Sequence, residues 1–239
     1  MKMEKAALEL VNVNKAYGGQ DVISGLSFSI GIGERLALFA PSGAGKSTLV
    51  RLLAGFEQAD SGKFLSGAAM AFQFQEPRLF PFLTVRENIL LPYKASAKAP
   101  SKDDLSRMDG WLGVAELDTF KDHYPYELSG GMKQKVSFIR AVLGQPAMLV
   151  LDEPFQSIGS ASKQAMISHL LGTQPGISML VITHSPTEVL MLATRALVFS
   201  EPTLAMQSCM MVEDVEQFFG NYRSGQAAMN LESAPDLRG

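Results

Sequence analysis

Residues 33–56 read GERLALFAPSGAGKSTLVRLLAGF, an apolar run, a glycine-rich loop and a second apolar run. The first run, at 33–40, predicts a buried strand, and the last, at 48–56, has the apolar spacing of a helix. Residues 40–47 between them are small and end in a lysine and a serine. This order is typical of a phosphate-binding loop. An ordinary glycine-rich turn is the alternative, which we disfavour because the strand, loop, lysine–serine pair and helix all agree.

The loop has a clear chemical logic. Its glycines let backbone N–H groups turn inward around a β-phosphate, Lys46 reaches the β and γ oxygens, and the Ser47 hydroxyl can ligate Mg²⁺. The helix behind it adds its positive N-terminal end. Ala40 stands where the pattern has its first glycine, which is tolerated if its φ is negative and no close approach is required. The candidate nucleotide-binding residues here are Ala40, Pro41, Ser42, Gly43, Ala44, Gly45, Lys46, Ser47 and Thr48.

The buried strand predicted at 147–153 ends in two acids, Asp152 and Glu153. In a nucleotide site, Asp152 would hold Mg²⁺ directly or through water, and Glu153 would polarise the attacking water. A strand-terminal acidic turn is the alternative interpretation. The phosphate loop at 40–47 favours the chemical one, which makes Asp152 a metal ligand and Glu153 a catalytic candidate.

Two more predicted strands are followed by polar residues. His184 comes at the end of ISMLVITH. A histidine there is often structural, but in a sheet whose other strand ends carry Lys46 and Glu153 we interpret it as a γ-phosphate sensor. Gln75 follows the strand AMAFQF and suits a polar group that reaches metal and water. Gln73 is a neighbouring candidate.

A second glycine pair suits phosphate as well. Residues 127–135 read ELSGGMKQK, in which Ser129, Gly130 and Gly131 precede a basic stretch and a helix predicted to run to about 144. Small N–H donors with a basic helix behind them favour anion binding. The chain therefore carries two surfaces suited to phosphate, although one loop is enough for one nucleotide.

Composition limits the class of protein. The chain has 239 residues, enough for one large domain or for a core with a small subdomain, and 46% of them are hydrophobic. The net charge of −3 does not favour a nucleic-acid partner. Cys209 is the only cysteine, which excludes an intrachain disulfide and favours a reducing compartment. We find no signal peptide and no apolar stretch of about 18 residues, so we expect a cytosolic protein whose membrane role comes through a partner.

Strands and helices alternate along the chain, which favours a mostly parallel sheet covered by helices. Residues 6–13 alternate in polarity and predict an edge strand. A change of amino-acid composition over about 77–128 predicts an inserted helical subdomain. Further strands are predicted at 24–30, 33–40, 69–74, 147–153, 177–184 and 195–200, and helices at 48–56, 84–91, 103–112, 130–144, 160–171 and 186–193.

On five motifs the chain resembles the ATP-binding subunit of an ABC transporter: APSGAGKS (40–47), FQEP (74–77), LSGGM (128–132), LVLDEP (149–154) and ITH (182–184). The motifs occur in the family's order and at its spacings. The resemblance implies an α/β fold, a P-loop NTPase with a mostly parallel sheet core, an N-terminal antiparallel β-subdomain and an inserted α-helical subdomain. It implies an ABC ATPase domain at 1–220, with the helical subdomain at about 77–145 and a flexible tail at 221–239.

The resemblance also implies partners for the two phosphate surfaces. In this family two ATP-binding domains pack head to tail, as a homodimer or as paired subunits. Ser129, Gly130 and Gly131 of one then close over the ATP and Mg²⁺ held at Lys46 of the other. Tyr17 matches the aromatic residue that stacks on adenine. Gln75 rather than Gln73 matches the family's catalytic and metal-binding glutamine.

The segment FQEPRLFPFLTVRENI (74–89) is most similar to importer ATPases for nitrate, sulfonate, taurine and related small solutes. This similarity implies ATP hydrolysis that drives uptake through integral membrane permease subunits. It also implies an extracytoplasmic solute-binding protein and a location on the cytoplasmic face of the membrane. The solute itself is set by the permease and the capture protein.

Three residues depart from the family pattern. Ala40 replaces a glycine, Gly159 stands where an aspartate couples the two sites, and Ser185 follows His184 where aspartate is common. These departures keep open a degenerate cassette that binds ATP as a dimerisation switch and hydrolyses it weakly. A soluble ABC ATPase of DNA repair or translation fits less well, because those proteins carry long coiled coils or two cassettes.

Overall fold

A computed structural model of the chain describes residues 6–199, 203–206 and 209–223. The chain divides into two compact units. The first unit comprises the described residues up to Gly67 and from Met179 onward, and the second comprises Ala68–Ser178.

The elements follow one another in the order that the sequence predicts, with several additions. They are β1 (Ala6–Tyr17), β2 (Gln20–Gly31), β3 (Arg35–Phe39), α1 (Lys46–Leu53), β4 (Ser61–Ser66), β5 (Met70–Gln73), α2 (Val85–Ile89), α3 (Leu91–Ala95), α4 (Lys102–Val114), two short 3-10 helices (Asp118–Phe120 and Pro125–Glu127), α5 (Gly130–Val142), β6 (Met148–Asp152), α6 (Ser160–Thr173), β7 (Ser178–Thr183), α7 (Pro186–Leu192), β8 (Arg195–Phe199), β9 (Leu204–Ala205), β10 (Cys209–Val212) and α8 (Val215–Arg223).

The first unit contains a four-stranded sheet, antiparallel except for the β2–β9 pair, in which the edge-strand prediction for 6–13 is wrong. The strand order is β4-β1-β2-β9, so β1 lies between β4 and β2 and runs antiparallel to both. Its alternation buries Leu8, Leu10 and Val13, each at most 1% exposed. The edge is formed by β4, whose sequence SGKFLS has no buried side chain. A strand without a buried face has no apolar alternation to reveal it.

The first unit also contains the mostly parallel strands. β3 pairs in parallel with β7 on one side and β8 on the other, and β10 pairs antiparallel with β8. A buried cluster of apolar side chains includes Phe39 of β3, Val189 of α7 and Phe219 of α8, and the two phenylalanine rings lie 5.2 Å apart at a steep angle. The apolar run of β3 therefore forms a buried strand, as predicted.

The second unit is built on two parallel strands and a set of helices. β5 pairs with β6, and Gln73 is opposite Leu151 in the register. Between residues 77 and 145 all the elements are helices, as predicted for the insertion. The compact unit is larger than that segment, because it also includes β5, β6 and α6. Trp111 of α4, which is 2% exposed, packs edge-on against Phe138 of α5 and His169 of α6.

The helix predicted at 84–91 is two short helices that meet at Leu90. The reason is Pro92 in the first turn of α3. Proline has no N–H to donate, and its ring clashes with the carbonyl four residues earlier, so a helix cannot continue through it without a break.

The C-terminal elements β9, β10 and α8 are absent from the sequence prediction. α8 runs to Arg223, past the predicted domain end at 220, and residues 224–239 of the predicted tail lie outside the described residues. Among the described residues, no helix has both the length and the apolar character needed to cross a bilayer.

The N-terminus of α4 provides a test of the fold. Ser101 Oγ accepts from Asp104 N at 3.1 Å, and the Asp104 carboxylate accepts from Ser101 N at 2.8 Å, which is a capping box. We expect Ser101→Ala to lower the free energy of unfolding by about 1 kcal/mol in urea denaturation, because it leaves a helix-terminal N–H without its acceptor. Ser106→Ala, an exposed position inside the same helix, is the control and should not lower stability. Equal losses in both variants would contradict the capping role.

Candidate nucleotide-binding site

The phosphate loop joins β3 to α1 in the first unit and depends on two left-handed glycines. Gly43 has φ of 84° and Gly45 has φ of 90°. A Cβ atom at Gly45 would lie 2.5 Å from Val22 Cγ1 and 2.9 Å from the Val22 carbonyl oxygen. Only glycine fits there. Gly45 is also the N-cap of α1, and no side chain caps that helix. An uncapped helix N-terminus behind a glycine loop suits an incoming phosphate.

Lys46 is held at the base of this loop. It is 8% exposed, and its Nζ donates to the carbonyl oxygens of Ala40 at 2.9 Å and Pro41 at 3.2 Å. A phosphate oxygen would compete for the same ammonium group, and charge-assisted hydrogen bonds to phosphate are stronger than those to neutral carbonyls.

Alanine is tolerated at position 40 if its φ is negative, and the structure meets this condition. Ala40 is fully buried and does not belong to the described residues with positive φ. Alanine therefore fits the backbone conformation without strain. The departure from the glycine pattern does not distort the loop.

Tyr17 is the last residue of β1 and is 45% exposed. Its hydroxyl donates to the Glu57 carboxylate, which raises the pKa of Tyr17 because the bond favours the neutral phenol. The other oxygen of Glu57 lies 3.5 Å from Arg51 of α1. Glu57 thus ties the ring to the helix behind the phosphate loop. No sequence pattern around FEQADSG marks this role, and sequence reasoning missed it.

His184 follows β7 and its side chain is exposed. The turn that carries it is fixed by Thr183, whose hydroxyl accepts from Ser185 N at 3.1 Å and donates to Glu188 at 2.7 Å. Glu188 is 4% exposed and was missed by sequence reasoning. The pattern Ser-Pro-Thr-Glu was a usable signal, because a serine or threonine three residues before glutamate is typical of a helix start. The structure pairs the glutamate with Thr183.

The second unit carries the acidic pair at the end of β6. Asp152 is 3% and Glu153 is 6% exposed. Glu153 has φ of 46°, directly before Pro154, a left-handed conformation that costs a non-glycine residue roughly 1–3 kcal/mol. The Glu153 carbonyl accepts from the buried Gln134 side chain of α5 at 3.4 Å. Such strain persists only where the surroundings impose it, and it is concentrated at functional sites.

Gln75 and Asp152 are the metal-ligand candidates that the sequence predicts in this unit. Gln75 is exposed just beyond β5, and its Nε2 donates to Gln156 at 3.5 Å. β5 and β6 are parallel neighbours, so both residues follow strands that end at the same edge. Carboxylate and amide oxygens are hard ligands, which Mg²⁺ prefers. The donor chemistry fits Mg²⁺, although the described residues contain no cluster of three or more acidic, histidine or cysteine side chains.

The second glycine pair forms the start of α5. Ser129 is the N-cap, and its Oγ accepts from Met132 N at 3.3 Å. A Cβ atom at Gly131 would lie 2.5 Å from the Ser157 carbonyl oxygen, so the fold of this unit requires glycine there. A Cβ atom at Gly130 would meet nothing within 4 Å, and Gly130 is exposed. Packing within this unit therefore gives no reason for glycine at position 130.

Gly159 occupies the N-cap of α6 with φ of −61°, and a Cβ atom there would meet nothing within 4 Å. An aspartate would fit both the backbone and the space, and it is a preferred N-cap residue. The structure gives no packing reason for glycine at this position either.

The predicted site residues are thus divided between the two units. Tyr17, the phosphate loop and His184 belong to the first unit, and Gln75, Ser129 to Gly131, Asp152 and Glu153 belong to the second. Each of these residues lies at a strand end, in a loop or at a helix start.

A family model described as ABC transporter matches residues 23–156. Over 208 residues, the chain is 38% identical to the spermidine/putrescine import ATP-binding protein PotA of Chromobacterium violaceum, covering 82% of this chain and 57% of that protein. It is 30% identical to the sulfate/thiosulfate import ATP-binding protein CysA of Methylococcus capsulatus, covering 97% of this chain and 76% of that one. The chain thus spans little more than half the length of PotA.

The fold also matches a solved structure described as a dimeric ATP-binding cassette in a post-hydrolysis state, bound to ADP and Pi. The TM-score is 0.73 at 25% identity, covering 85% of this chain and 97% of the other. This likeness confirms the predicted P-loop ATPase fold. Neither of the two relatives is named for nitrate, sulfonate or taurine, so the finer solute class is not supported by them.

Lys46 gives the test of the phosphate loop. We expect Lys46→Ala to weaken ATP binding by roughly tenfold or more, because a charge-assisted hydrogen bond contributes about 1.5–3 kcal/mol. Isothermal titration calorimetry measures the change. Lys63→Ala, at an exposed position of β4, is the control and should bind ATP like the wild type. Unchanged affinity in the Lys46 variant would show that residues 40–48 do not form the phosphate site.

Proposed function

The chain belongs to the ABC transporter family, and we propose that it is the ATP-binding and ATP-hydrolysing subunit of an importer that drives uptake of a small solute. The observation that carries the proposal is the phosphate loop, in which a left-handed glycine, a buried lysine and an uncapped helix start meet. The strained, buried glutamate after β6 supports hydrolysis in addition to binding.

In the first unit, we propose that Lys46 and the loop N–H groups bind the phosphates and that Ser47 ligates the Mg²⁺ that accompanies ATP. Tyr17 is a half-exposed residue, and adenine stacks on its ring. His184, exposed at the end of β7, senses the γ-phosphate. These roles are supported by residue chemistry and by position at strand ends.

In the second unit, Glu153 acts as general base and removes a proton from the attacking water. Asp152 and Gln75 supply oxygen ligands for Mg²⁺ within this unit. The metal, when bound, neutralises charge that develops on the transferred phosphoryl group. Burial of Glu153 favours this role, because a base held among protein groups needs little reorganisation during the reaction.

We propose that Ser129, Gly130 and Gly131 act on the ATP of a partner chain in a head-to-tail dimer. Gly130 is exposed and has open space around it, so a ligand from outside the unit is a reason for a glycine there. A self-complementary arrangement of two copies would use both phosphate surfaces of each chain. The structural relative bound to ADP and Pi is itself described as dimeric.

We further propose that integral membrane permease subunits dock on the segment after Gln75. Phe80 is 53% and Phe82 is 88% exposed, and large exposed aromatic side chains are typical of protein interfaces. The chain would then lie on the cytoplasmic face of the membrane and work with an extracytoplasmic solute-binding protein. The relatives named for import support this arrangement.

The class of solute remains a separate proposal. Uptake of nitrate, sulfonate or taurine rests on sequence resemblance at 74–89 and 124–142, whereas the two relatives are named for polyamines and for sulfate or thiosulfate. Polyamines are cations, whereas sulfate and thiosulfate are anions. Such a range is expected if the permease and the binding protein select the solute.

Gly159 supports a second candidate, a cassette that uses ATP mainly as a dimerisation switch. The position has room for the aspartate that the family pattern has there, yet it carries glycine. Weak coupling between the two sites would follow. The turnover rate of the purified dimer, alone and with its permease, distinguishes the two candidates.

Glu153→Gln tests the chemistry. The variant keeps the shape of the side chain and loses the base, so we expect ATP binding to persist while hydrolysis falls by about 10²–10⁴-fold. Phosphate release measures turnover, and size-exclusion chromatography with ATP should show accumulated dimer. Glu116→Gln is a matched control, since Glu116 is another left-handed glutamate of the same unit but exposed. Wild-type turnover in the Glu153→Gln variant would contradict the assignment of Glu153 as the base.

Gly130→Asp tests the head-to-tail arrangement. The aspartate has space in its own chain, so the variant should fold and bind ATP, but its carboxylate would repel a partner's γ-phosphate and abolish both the ATP-dependent dimer and hydrolysis. Gly130→Ala is the control for the loss of glycine itself. Mixing Gly130→Asp with Lys46→Ala creates one dimer site with both defects and one intact site. Turnover should partly recover. Loss of ATP binding by the folded Gly130→Asp monomer would contradict the arrangement.

A further inference from the structure

Gln73 is the last residue of β5 and is completely buried, with 0% of its surface exposed. It lies two residues before the exposed Gln75 and has no place in the chemistry described above. Amide side chains are rarely found fully buried unless their hydrogen bonds are satisfied. The function of a buried amide at this position therefore requires an explanation.

The hydrogen bonds of Gln73 lead to the turn after the acidic pair. Its Nε2 donates to the carbonyl oxygen of Pro154 at 3.0 Å. Its Oε1 has no partner in the part of the chain that the structure describes. The opposite amide orientation would place two oxygen atoms against each other. An unsatisfied buried acceptor is unfavourable, and an apolar side chain of similar size would avoid it. The amide differs from such an apolar side chain in making the hydrogen bond to the Pro154 carbonyl.

That bond acts on the residue next to Glu153. Glu153 has φ of 46° and precedes a proline, and each of these features restricts its backbone. A second buried amide, Gln134, donates to the Glu153 carbonyl at the longer distance of 3.4 Å. The two amides thus hold successive carbonyl groups of one turn. Gln73 makes the shorter contact of the two.

We propose that Gln73 is a positioning residue for Glu153, which it keeps in its left-handed conformation by fixing the Pro154 carbonyl. The proposal rests on the proposed role of Glu153 as general base. Gln73 itself touches no substrate. Its effect is on the rate of hydrolysis and not on the binding of ATP, because misplacement of a base weakens the reaction geometry and leaves the phosphate loop intact.

The test begins with Gln73→Met, which keeps the length of the side chain and removes the donor. We expect the kcat of ATP hydrolysis to fall by about tenfold or more, with the KM for ATP unchanged within about twofold. Gln174→Met is the matched control. Gln174 Nε2 also donates to a backbone carbonyl of the same unit, that of Val142 at 3.2 Å, so its loss should lower stability without lowering kcat. Thermal melts establish the stability of each variant.

A double-mutant cycle shows whether Gln73 acts through Glu153. In the Glu153→Gln background, Gln73→Met should cause no further loss of turnover, because the base is already absent. A further loss equal to that in the wild-type background would overturn the proposal, as would an unchanged kcat in folded Gln73→Met. Gln73→Asn, which shortens the reach of the amide, serves the same comparison if the methionine variant does not fold.

The two proposals fail in different ways. Loss of turnover in Glu153→Gln together with wild-type turnover in Gln73→Met would overturn the role of Gln73 and leave that of Glu153 intact. Wild-type turnover in Glu153→Gln would overturn both.

Discussion

At each of the two helix starts suited to phosphate, the backbone passes where a Cβ atom has no room, and the local geometry of each candidate site depends on this close approach. In the first unit, the phosphate loop at Gly45 lies directly against Val22 of β2. Gly131 presses the start of α5 against the carbonyl oxygen of Ser157 in the second. Replacing either by any other residue would force backbone apart, and glycine is the residue that permits such an approach. The two helix starts suited to phosphate are therefore fixed by the absence of a side chain.

The turn after β6 follows a different principle, in which strain is held by buried polar groups. Glu153 adopts a left-handed conformation before a proline, and two glutamine side chains hold the carbonyl groups of that turn. Burying an amide group is unfavourable unless its hydrogen bonds are made within the protein. The arrangement keeps a carboxylate at a defined place at the end of a buried strand, where a flexible loop would let it move.

The departures from the family pattern are of different kinds when seen in three dimensions. Ala40 is buried without positive φ, so its methyl group is accommodated and the loop keeps its shape. Gly159 is exposed, with open space where a side chain would stand. Ser185 donates its N–H to Thr183 within the turn that carries His184. Of the three, Gly159 is the one that lacks a side chain where the family pattern has one.

The sequence by itself determined the alternation of strands and helices, the loop between β3 and α1 and the place of the acidic pair at the end of a buried strand, because these follow from local spacing and apolar periodicity. The more specific fold and the role of Tyr17 came from the resemblance to a known family. The sequence also indicated helices between 77 and 145. It missed β4, which has no buried face, and misjudged β1 as an edge strand for the same reason. Only the tertiary structure revealed the contact between Tyr17 and Glu57 and the contact between Gln73 and Pro154. Those contacts join residues through space, and hydrogen bonds between distant backbone and side-chain groups leave no periodic trace in a sequence.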